Sequence, residues 1–289
     1  MGARKFKFMV LTKDSGSRLD AFLVRRRPAR SRTQWAALIR AGQVRVDGKL
    51  AKPRHLLKRG QRVMGELFPE MLAAPVTAKL PIIYEDKDLL VINKPAGLVM
   101  HPAGRHRSGT LLNILEATFP EVYLVHRLDR DTSGVMVVAC NLATKDYLAD
   151  LFAKRLVHKT YLALLVGRVT PPRAYLNLPI RRGRTGKFEV GRGGRSAVSL
   201  YQVVEQLPGY SLAEVSPESG RTHQIRVHLA ARHHPVAGDA VYGKKIPGLS
   251  RQFLHAFKIE FVDRHGRQRS FTAPLPPDLK HFLDDLRSR

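Results

Sequence analysis

The chain predicts an α+β protein in two parts: a small basic domain of two helices and a hairpin, then a larger domain on a mixed, largely antiparallel sheet. Three observations predict it. Charge is uneven, with eighteen basic and four acidic residues in positions 1–66, a surplus of 14 against a net +26 for all 289 residues. Helical apolar periodicity and one hairpin signal fill that same stretch. From Leu80 onward, short apolar runs that read as strands outnumber helices, without strict strand–helix alternation.

The elements follow in order. Arg18–Arg26 reads as a helix with Leu19, Phe22 and Leu23 on one face, closed by Pro28. Ser31 with Gln34 makes a capping box for a second helix through Trp35, Leu38 and Ile39, stopped at Gly42. "VRVDGKLAK" alternates around Asp47-Gly48, the signature of a hairpin. A Pro- and Ala-containing linker spans about Pro69 to Lys79, which divides the chain into domains at 1–72 and 80–289. Ile82–Tyr84, Leu89–Ile92, Val135–Ala139, Tyr161–Val166 and Leu212–Val215 read as strands, and 111–117, 143–152 and 223–232 as helices. Residues 181–195, "RRGRTGKFEVGRGGR", read as a mobile basic loop and a candidate RNA contact, and no internal repeat is present.

Composition narrows the function. Hydrophobic residues make up 44% of the chain, enough for a core. A surplus of 26 positive charges points to a polyanionic partner, nucleic acid before anionic membrane. The single cysteine, Cys140, rules out a disulfide framework or a cysteine zinc cluster and is expected as a small buried filler. No segment has the length of a signal peptide or a membrane span, so a soluble, cytoplasmic protein is expected.

Four segments could carry chemistry. "HRLDRDTSG" (126–134) lies between "VYLV" and "VMVVA", a strand–turn–strand connection that exposes Asp129 and Asp131 among arginines. A carboxylate beside guanidinium groups stays ionised, which suits a nucleophile or an electrostatic stabiliser better than a general acid; the plainer reading is a structural turn. "DTSG" departs from the aspartic-protease loop, and no G-x-S-x-G elbow surrounds Ser133. In "SGRTHQIRVHLA" (219–230), His223 and His228 are five apart, not the four that would place two metal ligands on one helix face. Ile225 and Leu229 face a core there, leaving Arg221 and Arg226 to meet an anion. "HKTYLALLVG" (158–167) opens a strand with Tyr161, a core ring or a base-stacking ring. "LLVINKPAGLVMHP" (89–102) is a buried strand and a turn.

The front of the chain, "SRLDAFLV…SRTQWAALIRAGQVRVDGKLAKPRHLLKRGQRV", resembles an S4-type RNA-binding domain. With Asn93–Gly97, "HRLDRDTSG", Lys159 with Tyr161, "SGRTHQIRVHLA" and "HPVAGDAVYG" (234–243), residues 82–242 resemble the RluA family of pseudouridine synthases. The resemblance implies isomerisation of uridine in RNA without cofactor or metal, with Asp129 rather than Asp131 as the catalytic carboxylate. It implies that Arg127 fills the space of a flipped base, that Tyr161 stacks on the uracil, and that Arg226 pairs with Asp129, Arg221 being the weaker candidate. His126, Lys159, Arg25, Arg30, Arg32 and Arg40 are expected to contact RNA, and Asp131, Thr132 and Ser133 to fix the turn through side-chain to backbone hydrogen bonds. The expected partner is ribosomal RNA, with tRNA the alternative, and the expected state a monomer off the membrane. His233 stands where the family usually has glycine, and the 181–195 loop is shorter and more basic than usual. The rival readings are a non-catalytic RNA-binding assembly factor and a basic membrane-surface protein, the latter lacking a suitable amphipathic helix.

Overall fold

Two of the predicted helices and the predicted hairpin form the first layer of the architecture, seen in a computed structural model described for residues 4–27, 32–67, 80–102 and 109–288. In chain order this front part holds β1 (Arg4–Met9), α1 (Leu19–Arg26), α2 (Arg32–Arg40), β2 (Val44–Val46), β3 (Lys49–Leu50) and β4 (Arg62–Leu67). The strands make an antiparallel sheet in the order β1-β4-β2-β3. Leu19, Phe22, Leu23, Trp35 and Ile39 are buried against Val44 and Val63, so the apolar faces read from periodicity are those the helices bury. Asp47 and Gly48 both have positive φ, 50° and 76°, the type I′ hairpin geometry that favours this pair. The capping role of Ser31 and the linker at 69–79 lie outside the described residues.

The rest of the chain runs through β5 (Ile82–Glu85), β6 (Leu89–Lys94), α3 (Leu111–Thr118), β7 (Tyr123–Leu124), β8 (Ser133–Ala139), α4 (Leu142–Ala153), β9 (His158–Val166), β10 (Arg173–Asn177), β11 (Ile180–Arg182) and β12 (Phe188–Val190). It ends with β13 (Val198–Leu207), β14 (Tyr210–Pro217), α5 (Gln224–Ala231), β15 (Leu254–Val262), β16 (Gln268–Thr272) and α6 (Pro277–Arg287). Two compact units result: residues 1–77 with 101–122, and residues 78–100 with 123–289. The second is built on a ten-stranded sheet ordered β10-β13-β14-β9-β15-β8-β6-β5, with β16 on β15 and β7 on β8. All its described pairings are antiparallel except β8 with β15.

All seven residues of β8 are buried, which is why it reads as one apolar run rather than an alternation. Its parallel pairing, Ser133 with His255 and Gly134 with Ala256, brings two backbones unusually close. Gly134 has φ 124°, and a Cβ there would lie 2.2 Å from the Ala256 carbonyl oxygen. Glycine is therefore a packing requirement at the base of the Asp129 loop. Ile225 and Leu229 of α5 sink into a core with Leu164, Val215 and Phe253, against which Tyr161 packs. The 181–195 segment is not a loop: β11 and β12 pair as a hairpin, Ile180 opposite Val190 and Arg182 opposite Phe188. Cys140 is half-buried rather than a core filler. Among the described residues, no helix is long and apolar enough to cross a membrane.

Candidate active site

The loop carrying Asp129 leaves β7, turns and enters β8, and buried polar groups hold it from below. Lys94, at the end of β6, is fully buried and spends its three donors on carbonyls of Pro95 (2.8 Å), Leu98 (3.1 Å) and Arg130 (3.1 Å). Burial lowers its pKa to about 8, with Asp131 and Asp129 pulling the other way. Arg251 donates to the Asp131 carbonyl (3.1 Å) while Asp278 grips its other edge. Ser133 Oγ lies 2.9 Å from His255 Nδ1, and the second ring nitrogen faces the Ala273 carbonyl. That carbonyl can only accept, so Nε2 carries the proton and Ser133 donates to Nδ1. The turn is thus fixed by groups reaching in from β6 and the β15 region. The expected side-chain to backbone bonds of Asp131, Thr132 and Ser133 are not how it is held: Asp131 pairs with Arg130, and Thr132 meets Gln252.

Above this base, Arg226 Nη1 donates to Asp129 Oδ2 at 3.1 Å. The other edge of the same guanidinium grips Asp239 with two bonds, Nε to Oδ2 at 2.6 Å and Nη2 to Oδ1 at 2.9 Å. Asp239 is fully buried, and its Oδ1 also accepts the backbone N–H groups of Val241 and Tyr242. Burial alone would raise its pKa, but Arg226 and those two N–H groups hold it below the usual carboxylate value. The Tyr242 ring lies over the Arg226 guanidinium, 5.1 Å from its centre. Position 226 is the arginine that meets Asp129; Arg221 instead donates to the Ser196 carbonyl (3.1 Å). Tyr161, on β9, sits where burial first and Asp129 second push its phenol pKa up. The arrangement is a pinned carboxylate with one oxygen occupied, beside a neutral aromatic ring.

Comparison with known proteins matches residues 88–231 to the RNA pseudouridylate synthase family and residues 17–63 to the S4 domain. The chain is 38% identical to the ribosomal large subunit pseudouridine synthase D of Xanthomonas campestris, over 94% of this chain and 90% of that one. Its counterpart in Pseudomonas aeruginosa is also 38% identical, over 94% and 92%. Among solved structures, human RNA Pseudouridylate Synthase Domain Containing 4 superposes with a TM-score of 0.62 at 28% identity, over 72% of this chain and 93% of that one. The chain belongs to the RNA pseudouridylate synthase family.

In this pseudouridine synthase the remaining expected residues fall into three groups. Arg127 is exposed, near enough to His223 to help lower the pKa of that ring. Lys159 is half-buried, 6.0 Å from the centre of the Phe152 ring, and burial lowers its pKa to about 8. His126 is engaged within the fold: its Nε2 accepts the Val137 N–H (2.9 Å) and its ring stacks on Phe152 at 4.9 Å. Burial, then Lys159, lowers its pKa to about 3, so the ring is neutral. In the first unit, Arg25 lies 3.5 Å from Asp14 and Arg32 lies 3.3 Å from Asp20, both carboxylates being buried. Arg40 is exposed, and Arg30 lies outside the described residues. Sequence reasoning assigns no site role to Lys94, Asp239, Tyr242, Arg251 or His223, although His223 is weighed there as a metal ligand and Lys94 lies in a quoted motif. "GDAVYG" was in view, but an aspartate next to glycine in a turn gives no sign of a buried arginine partner.

Proposed function

We propose that this synthase converts specific uridines of structured RNA to pseudouridine, with Asp129 as its catalytic carboxylate and large-subunit ribosomal RNA as its target. The Arg226 bridge between Asp129 and Asp239 carries the reading. That the Xanthomonas and Pseudomonas relatives are ribosomal large subunit synthases supports this target; tRNA is the alternative. The chemistry is balanced without any co-reactant. The N1–C1′ bond breaks, a C5–C1′ bond forms, a proton leaves C5 and a proton is gained at N1. No electron acceptor, metal or cofactor is required.

The uracil must first leave its stack, which costs a few kcal/mol. Arg127, exposed beside the carboxylate, fills the vacated space. Asp129 then acts on the ribose or the base so that the C–N bond breaks, and the freed uracil turns against the Tyr161 ring before rejoining through C5. Residues 1–72 serve as the RNA-binding domain and 80–289 as the catalytic domain of a cytoplasmic monomer. The test is pseudouridine mapping of bulk RNA from cells lacking the gene, complemented with wild type or Asp129→Asn. Positions that vanish and return only with wild type support the reading. An unchanged map, together with RNA binding but no isomerisation in vitro, leaves a non-catalytic RNA-binding factor instead.

A further inference from the structure

His223 stands at the entrance to α5 in a conformation histidine seldom adopts, φ 56° and ψ 21°. Strain of this kind persists only where the surroundings hold it. Here they do. The ring packs edge-on against Tyr242 (5.6 Å, 78°) and Phe188 (5.9 Å, 72°), and Nδ1 lies 2.9 Å from the Tyr242 hydroxyl. That hydroxyl accepts the backbone N–H of Phe188 at 3.3 Å. Its own proton has one acceptor among the described groups, His223 Nδ1. Donation there puts the imidazole proton on Nε2.

Nε2 in turn faces the catalytic carboxylate. It lies 3.9 Å from Asp129 Oδ2, the same oxygen that receives Arg226 Nη1 at 3.1 Å. Among the described residues Oδ1 receives no hydrogen bond. The His223 side chain is 28% exposed, so it borders the opening rather than the core. We propose that His223 is a further positioning residue of the isomerisation: its Nε2–H and Arg226 together hold Oδ2, leaving Oδ1 of Asp129 to face the nucleotide. A gap of 3.9 Å is too long for a hydrogen bond. Catalytic hydrogen bonds often tighten only when substrate is bound, and closing the gap by about 1 Å completes this one. Burial lowers the pKa of the ring, with Asp129 opposing, in keeping with a neutral donor. The relay also ties the carboxylate to the β11–β12 hairpin through Phe188. The inference rests on Asp129 being the catalytic carboxylate.

Glycine is the informative substitution because it removes the imidazole and relieves the positive φ. The assay is single-turnover pseudouridine formation by the full-length protein on bulk RNA from the deletion strain, read by mass spectrometry. Retention of the same RNA and thermal unfolding are followed alongside. His223→Gly is expected to slow isomerisation 10- to 100-fold with RNA retention and the unfolding transition little changed, and added imidazole is expected to restore part of the rate. Tyr242→Phe, which keeps the ring over Arg226 but loses the hydroxyl, is expected to slow the reaction as well. Combining it with His223→Gly is expected to give no further loss. A wild-type rate in His223→Gly, or a loss that imidazole leaves unrestored, overturns the inference. Asp129→Asn separates the two levels. If it is active, the underlying reading fails; if it is inactive while His223→Gly is wild type, only the role of His223 fails.

Discussion

Asp239→Asn tests how the site is assembled. The carboxylate has no exposure and accepts four hydrogen bonds, two from Arg226 and one each from the Val241 and Tyr242 N–H groups. Asparagine is nearly isosteric, and its carbonyl can replace Oδ1. At Oδ2, however, it puts an amide N–H against Arg226 Nε, now 2.6 Å away, so donor meets donor. Arg226, itself 5% exposed, keeps a neutral acceptor at Oδ1 and is left with Asp129 as its one carboxylate partner among the described residues. Removing one partner of a buried ion pair costs about 3–5 kcal/mol. At roughly 2–4 °C per kcal/mol for a domain of this size, the transition of the second unit should fall by roughly 6–20 °C. The guanidinium also loses its aim, and a misplacement of about 1 Å can cost about 100-fold in rate. Calorimetry and single-turnover isomerisation read the two effects. Adding Arg226→Met removes the unpaired charge and should recover stability while activity stays low, because Asp129 has then lost its partner. A transition within about 2 °C of wild type in Asp239→Asn, or a double variant as unstable as the single one, refutes the reasoning.

Four further outcomes follow from the same structure. Gly134→Ala pushes a methyl into the Ala256 backbone, which cannot give way, and should cost roughly 2–6 kcal/mol from overpacking and backbone strain combined, read as a lower urea midpoint; an unchanged midpoint would mean that the β8–β15 approach is looser than described. The Asp88 carboxyl is held at about pH 2, first by the His265 hydrogen bond and then by Asn141, Arg264 and Thr144 against burial. A depressed folded pKa contributes stability above the ordinary 3.8 that is lost as pH falls toward 2, so Asp88→Asn should flatten acid unfolding between pH 4 and 2. The Tyr161 phenol is pushed above its ordinary 10.0, so it stays protonated through pH 7–10 and activity should show no limb there that Tyr161→Phe removes. RNA binding should weaken steeply with salt; Arg40→Ala should shallow the log–log slope by up to about 0.9, and Arg25→Ala by less because Asp14 already shares its charge.

What was legible from the sequence and what was not divide along physical lines. Local periodicity and turn chemistry act within a few residues, and the elements they govern were found: α1, α2, the Asp47-Gly48 hairpin, and the buried runs of β6 and β8. The segment holding β11 and β12 reads as a mobile loop because it is rich in glycine and arginine, and what holds it is the pairing of the two strands and Phe188 against Tyr242 and His223. The choice of Arg226 over Arg221 also has a local cause once α5 is known. Arg221 precedes the helix and turns to Ser196, whereas Arg226 lies within it, with Ile225 and Leu229 buried in the core. Asp239 had no local cause at all. It meets Arg226 because the chain folds back through Gly238, whose φ of 74° and whose Cβ position, 2.3 Å from the Arg251 carbonyl, exclude any side chain. That distant pairing matters in a chain with a net charge of +26. A carboxylate lying free among so many cations would find partners indiscriminately. Committing one buried arginine to Asp239, and letting its remaining edge reach Asp129, occupies Oδ2 of that carboxylate with a fixed donor, which is the arrangement the role proposed for Asp129 requires.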